Sequence, residues 1–192
     1  MGTEAKKFAT YSDILALPEH LIGEIINGEL IVSPRPSPRH ARSASALGGT
    51  IFNPFDQGSD GPGGWWILFE PEIHFSSDVI VPDLAGWKKE QVPMLPTSKA
   101  YFEIVPNWVC EVLSKKTAGI DRVKKLPIYA KAKVDYVWLV NPDQKTLEIY
   151  LREDQKWMLL NAFEGNQLVH AAPFDAIELN IANLWLPDND DN

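Results

Sequence analysis

Two carboxylates stand where carboxylates are costly. Asp83 closes the run Ile80-Val81-Pro82-Asp83-Leu84-Ala85, and Glu111 sits inside Trp108-Val109-Cys110-Glu111-Val112-Leu113. An ionised side chain in an apolar strand is expensive to bury unless it is paired or binds a metal. Two such acids on neighbouring strands can hold a divalent cation, which screens phosphate charge and lowers the pKa of water. The chemistry they fit is metal-dependent hydrolysis of a phosphodiester. Each acid also has a purely structural reading. Pro-Asp often ends a strand, with the Asp capping the next turn, and Glu111 can belong to a buried salt bridge.

Other ionisable residues fall into place around this pair. Glu24, after Leu21 and Ile22, is either a solvated edge residue or a third acid. Three clustered carboxylates repel and raise at least one pKa unless a cation neutralises them. Asp121, Lys125 and Tyr129 recur at i, i+4 and i+8, so they share one face of a helix. A helical wheel sets that row largely opposite the apolar stripe Ile120, Val123, Leu126, Pro127 and Ala130. The row then reads as a solvent-facing ion pair, stabilising by about 0.3–0.5 kcal/mol. If it looks instead toward Glu111, Lys125 can polarise the attacking water or stabilise the pentavalent phosphate. His40 opens a helix after a basic loop, and Arg35, Arg39 and Arg42 with His40 form the one local basic patch, a solvated loop or a phosphate contact. The four histidines show no H-x-x-x-H spacing and the serines no G-x-S-x-G context, which argues against a zinc protease and a serine hydrolase.

Composition narrows the frame. The chain has 192 residues, 45 % of them hydrophobic, enough for one domain with a sizeable core. Residues 1–187 read as that single domain, and 188–192 as an acidic flexible tail. The net charge of −8 works against non-specific binding of nucleic acid, although a local cationic cluster or a bound Mg²⁺ can reverse the field at a site. Cys110 is the only cysteine, no apolar h-region follows the first residues, and no segment approaches the roughly 20 apolar residues of a membrane helix. A cytoplasmic protein without membrane contact is the expectation.

The elements that must position these residues follow from periodicity and turn chemistry. A short helix is predicted near residue 11, then a hairpin over 23–32 turned at Asn27-Gly28, a proline-rich loop over 33–39 and a helix over 40–52. Strands over 65–75 and 79–87 turn at Ser76-Ser77-Asp78, and an exposed excursion covers 88–107. Residues 108–113 form a central strand, 119–133 a helix kinked by Pro127, and 135–140 another buried strand. A hairpin over 147–151 and 156–162 and short strands near 168–170 and 176–179 complete the chain. This order gives an α/β (α+β) domain, a mixed β-sheet flanked by helices with an N-terminal β-hairpin.

Several segments together carry a resemblance. They are Gly23-Glu24-Ile25-Ile26-Asn27-Gly28-Glu29-Leu30, His40 at a helix start, Val81-Pro82-Asp83-Leu84-Ala85, Val109-Cys110-Glu111-Val112-Leu113-Ser114, the row Asp121-Lys125-Tyr129, and Val134-Asp135-Tyr136-Val137-Trp138-Leu139-Val140. In this order and spacing the chain resembles the Uma-two family of restriction-endonuclease-like proteins, a branch of the PD-(D/E)xK nuclease superfamily. The resemblance runs from about Tyr11 to Leu186. It implies a restriction-endonuclease-like core and a Mg²⁺-dependent DNA endonuclease in which Mn²⁺ can substitute. Asp83 and Glu111 would be the metal ligands and Glu24 an accessory acid. The strand position that commonly carries the catalytic Lys holds Leu113. In this branch the Lys is displaced to the following helix, where Lys125 is the match, Lys124 its neighbour, and Lys115 or Lys116 a weaker substitute. His40, Asp121 and Tyr129 would be accessory residues, and Arg35, Arg39 and Arg42 DNA contacts. Cutting both strands implies a homodimer by analogy. The alternative is a non-catalytic binding or assembly protein that keeps the nuclease fold.

Overall fold

The computed structural model describes residues 8–33 and 35–187, so the acidic tail 188–192 lies outside the described residues. A short helix α1 (Tyr11–Leu15) leads into β1 (Ile22–Ile26) and β2 (Glu29–Ser33). Asn27 and Gly28 turn this hairpin at φ 53° and 76°, two positive values in a row, as a type I′ turn requires. Helix α2 (Pro38–Ile51) begins two residues before the expected start. Ser37 caps it through the His40 N–H, and Pro38 takes a first-turn position that needs no donor. It runs on as a π-helical segment, Phe52–Gln57, which its amphipathic pattern did not announce.

The two strands expected between residues 65 and 87 are four. β3 (Trp65–Phe69) and β4 (Ile73–Phe75) separate around Glu70-Pro71, and β5 (Asp78–Ile80) and β6 (Leu84–Lys88) separate around Pro82-Asp83. Proline donates no ladder hydrogen bond, so both breaks fall where the backbone cannot continue a sheet. The breaks are adjacent in space, since the Glu70 N–H donates to the Asp83 carbonyl at 3.0 Å. There the chain passes from a four-stranded antiparallel sheet, order β2-β1-β5-β4, to a six-stranded sheet whose order is β10 (Lys156–Glu164), β9 (Thr146–Glu153), β8 (Tyr136–Asn141), β7 (Trp108–Val112), β6 and β3. In the larger sheet β7 (Trp108–Val112) and β8 (Tyr136–Asn141) are parallel and the other neighbours antiparallel. β9 (Thr146–Glu153) and β10 (Lys156–Glu164) form the expected hairpin, and β11 (Leu168–Val169) pairs with β12 (Leu179–Asn180).

Segment 88–107 is less exposed than its polarity implies. Val92 is buried, its carbonyl accepts from the Trp66 indole at 2.8 Å, and the Ile104 carbonyl accepts from the Trp87 indole at 2.9 Å. Indole N–H groups need partners when buried, and this segment supplies them.

Period-two alternation along β7 sorts the core into two layers. Trp108, Cys110 and Val112 face one layer with Leu47 and Ile51 of α2, Trp138 and Phe174. Val109 and Leu113 face the other with Ile26, Trp87, Tyr129 and Val137. Glu111 alternates onto this second face. The crossover from β7 to β8 covers it with α3 (Ala118–Ile120), a π-helical segment Asp121–Lys125, and α4 (Leu126–Ala132).

Candidate functional site

The β6–β7 register pairs Leu84 with Cys110, Ala85 with Val109 and Gly86 with Trp108. One residue before β6, past the last paired position, the chain carries Asp83, beside the β7 segment that carries Glu111. The ladder's next donor, the Val112 N–H, bonds to Asp83 Oδ2 at 2.7 Å. The side chain thus takes the place of the missing strand. Asp83 Oδ1 lies 3.2 Å from His40 Nε2. Burial opposes the imidazolium, yet the Asp83 contact prevails and raises the His40 pKa. His40 Nδ1 is buried and has no hydrogen-bond partner among the described residues.

Lys125 sits at the centre of the remaining acids. Its ammonium lies 2.9 Å from Glu24 Oε1, 3.2 Å from Glu111 Oε1 and 3.5 Å from Asp121 Oδ1. Asp121, Lys125 and Tyr129 are 3 %, 5 % and 0 % exposed, whereas Val123 of the supposed apolar stripe is 72 % exposed. The solvent-facing ion pair is therefore corrected: the row is buried and the stripe is partly outside. Two causes act together. The wheel ranked residues by apolarity, but charges that neutralise one another can be buried. The helix also leaves the 3.6-residue period, since the Leu126 N–H donates to the Asp121 carbonyl five residues back. That π segment ends at Lys125, two residues before Pro127, whose missing N–H is harmless at the start of α4.

Glu24 is likewise buried, not a solvated edge residue, and its Oε1 also accepts from the Val81 N–H at 2.9 Å. Tyr129 donates its hydroxyl to Glu111 Oε1. Desolvation drives the Glu111 pKa well above the carboxylate range. Lys125 pulls it down, and Asp121, Asp83 and Glu24 push it further up. Asp121 is raised too, again first by burial. Burial opposes the Lys125 charge, but Glu111, Glu24 and Asp121 outweigh it and hold the ammonium above the usual lysine range. Lys124 points elsewhere and pairs with Glu29 of β2 at 2.9 Å.

Glu24, His40, Asp83, Glu111, Asp121 and Lys125 line a cleft of about 380 Å³. Arg35 reaches its lining, but Arg39 and Arg42 do not. Lys115 and Lys116, the weaker substitutes for the catalytic lysine, also line it. The available signal was position: they follow the C-terminal end of a central parallel strand, where open α/β sheets commonly bind ligands. Among the described residues no group of three or more His, Cys, Asp and Glu side chains is placed to hold a metal. Mg²⁺ needs fewer, since it commonly takes one or two carboxylates and completes its shell with water and phosphate oxygens. The hard oxygen donors of Asp83 and Glu111, which line the same cleft, fit that requirement.

A mixed sheet flanked by helices, with acids gathered beside the strand end, defines an α+β domain. The chain belongs to the Uma2 family, described as "Putative restriction endonuclease", whose model matches residues 8–182. It is similar in fold to a crystal structure of a "putative nuclease belonging to DUF820" from Anabaena variabilis ATCC 29413. The TM-score is 0.73 and the identity 24 %, over 92 % of this chain and 97 % of that one. No curated protein matches the chain. No helix among the described residues is long and apolar enough to cross a membrane.

Proposed function

We propose that the cleft hydrolyses phosphodiester bonds of DNA with Mg²⁺, for which Mn²⁺ can substitute. The observation that carries this reading is that Asp83 and Glu111 line one cleft, Asp83 bonded to the Val112 N–H next to Glu111 and the Lys125 ammonium 3.2 Å from Glu111. Asp83 and Glu111 would hold the ion, which when bound neutralises phosphate charge and acidifies water. Lys125 keeps its proton, so it donates to an attacking water or to a phosphoryl oxygen and orients it. Glu24 and Asp121 hold the ammonium in place, and Tyr129 fixes the Glu111 carboxylate through its hydroxyl. His40 holds Asp83 from the side of α2 through Nε2.

A plasmid-nicking assay with Mg²⁺ and Mn²⁺ on wild type, Lys125→Met and Lys124→Met tests the assignment. Cleavage by wild type and Lys124→Met, and none by Lys125→Met, is the expected outcome. Loss only in Lys124→Met would move the role to the neighbouring lysine. One observation favours the alternative of a non-catalytic binding protein: the ammonium already contacts three carboxylates, so the site is neutralised in part without a metal. Absence of nicking across varied DNA substrates would favour that alternative.

A further inference from the structure

The turn Ser114-Lys115-Lys116-Thr117 leads from the strand that carries Glu111 to the helix that carries Lys125. Ser114 and Thr117 are half-buried and line the cleft. Their hydroxyl oxygens lie 3.0 Å apart. The Ser114 N–H donates to Thr117 Oγ1 at 3.3 Å, and the Thr117 N–H donates to Ser114 Oγ at 3.2 Å. Thr117 also bonds through its side chain to Asp121, where it favours the ionised carboxylate against the burial that raises its pKa.

The protons of this chain of contacts have one consistent arrangement. An ionised carboxylate only accepts, so the Thr117 hydroxyl donates to Asp121. A hydroxyl has a single proton to give, so Thr117 Oγ1 is the acceptor from both the N–H and the O–H of Ser114. Asp121 Oδ1 in turn lies 3.5 Å from the Lys125 ammonium, which lies 3.2 Å from Glu111 Oε1. The contacts close a ring, from Glu111 along the backbone to Ser114, then through Thr117, Asp121 and Lys125 back to Glu111. Helix capping does not account for Thr117. It stands at the start of the helix, yet its side chain caps no helical N–H. Four residues before Asp121, it extends by one step the row of Asp121, Lys125 and Tyr129. Among the three carboxylates around the ammonium, Asp121 alone shares its segment, whereas Glu24 and Glu111 come from two different sheets. The direction of the Asp121 carboxylate therefore decides how the ammonium is shared between the other two.

We propose that Thr117, with Ser114 behind it, is a positioning residue for Lys125: its hydroxyl fixes the Asp121 carboxylate that holds the ammonium against Glu111. Its consequence for catalysis rests on the phosphodiesterase reading above.

The test compares wild type with Thr117→Val, which removes the hydroxyl and keeps the branched shape, and with Thr117→Ser, which keeps the hydroxyl. One readout is independent of activity: proton exchange at Lys125 Nζ, followed by NMR in protein with ¹⁵N-labelled lysine and assigned by its absence in Lys125→Arg. The other is kcat and KM for plasmid nicking with Mg²⁺, and circular dichroism checks folding. In Thr117→Val the Nζ protons should exchange at least about tenfold faster, the factor implied by losing one hydrogen bond to a charged group. Its kcat should fall by about tenfold or more while KM holds, since a misplaced group costs rate and not ground-state binding. Thr117→Ser should stay near wild type in both readouts. A merely structural Thr117 would lower the Tm of Thr117→Val and leave Nζ exchange in the folded protein unchanged, and that result would overturn the proposal. So would Thr117→Ser behaving like Thr117→Val, wild-type kcat in Thr117→Val, or Nζ exchange too fast to observe in wild type. Faster exchange in Thr117→Val that Thr117→Ser restores, with no nicking of any DNA by wild type, would support the positioning role and sink the phosphodiesterase reading.

Discussion

Replacing Lys125 by Met is the most demanding perturbation of this site. Met keeps much of the unbranched stem and removes only the charge, so packing changes little. What remains are Glu24, Glu111 and Asp121, buried at 5 %, 3 % and 3 % exposure with their shared cation gone. Breaking a buried ion pair by removing one partner costs about 3–5 kcal/mol, because the surviving charge has no compensation. For a chain of this length each kcal/mol moves Tm by about 2–4 °C, so a fall of roughly 6–20 °C follows. Urea denaturation of wild type and variant measures it, with an unchanged m-value as the check that both states keep their compactness. The double variant Lys125→Met/Glu111→Gln then separates charge from packing. With one fewer buried carboxylate its loss should be smaller than that of Lys125→Met alone, a non-additivity expected of residues in one network. A loss below about 1 kcal/mol in Lys125→Met would mean that the ammonium behaves as an exposed pair, and the reasoning would fail. A large loss left undiminished in the double variant would assign the effect to packing.

Three further outcomes are expected. Mg²⁺ or Mn²⁺ should raise the Tm of wild type by binding the native state, and Glu111→Gln should abolish the rise; a rise that persists would place the ion elsewhere. Arg122 donates to both Glu148 oxygens at 2.8 Å and holds that carboxyl below its usual range, so the pair adds stability above the unfolded pKa of about 4.3 that disappears as pH falls through the lower folded value. Arg122→Ala should therefore cost about 1 kcal/mol at pH 7 and progressively less below pH 4, in a pH series of denaturation curves, whereas a constant gap would contradict the assignment. Val123→Lys should change stability by less than about 0.5 kcal/mol, since the side chain faces water; a large loss would restore the apolar-stripe reading.

Much of the scaffold was legible because local chemistry decides it. Asn27-Gly28 admits few turns other than the one observed. The apolar runs of β7 and β8 are central strands because both of their faces are buried. The break inside 65–87 was harder. Pro71 and Pro82 were visible, but only the three-dimensional arrangement shows that each marks a crossing between sheets. The burial of Asp121 and Lys125 was hidden more deeply, since burial there depends on partners far away in sequence. Glu24 lies about a hundred residues from Lys125, and nothing local announces that the two meet at 2.9 Å. The pattern did bring the right residues onto one helix face; what it lacked was the partner that makes that face an interior one.

The placement of the lysine follows from the same geometry. Leu113 shares the Glu111 face of β7 and is 2 % exposed in an apolar layer with Ile128, Tyr129 and Val134. An ammonium there would have to leave that layer to reach the acids. Lys125 comes from the opposite wall, where Asp121 one turn earlier and Glu24 from the first sheet already offer oxygens. The cation then meets Glu111 without disturbing the apolar contacts around position 113. The π turn ends at Lys125, so the irregular part of the helix coincides with the residue it must aim, as is frequent where π segments serve a site. Fixing the ammonium costs helix regularity over Asp121–Lys125, and three carboxylates offset that cost by pairing with it. Under the proposed function the contacts that would orient the lysine for chemistry are the ones that neutralise the buried acids, so both roles would rest on one set of distances.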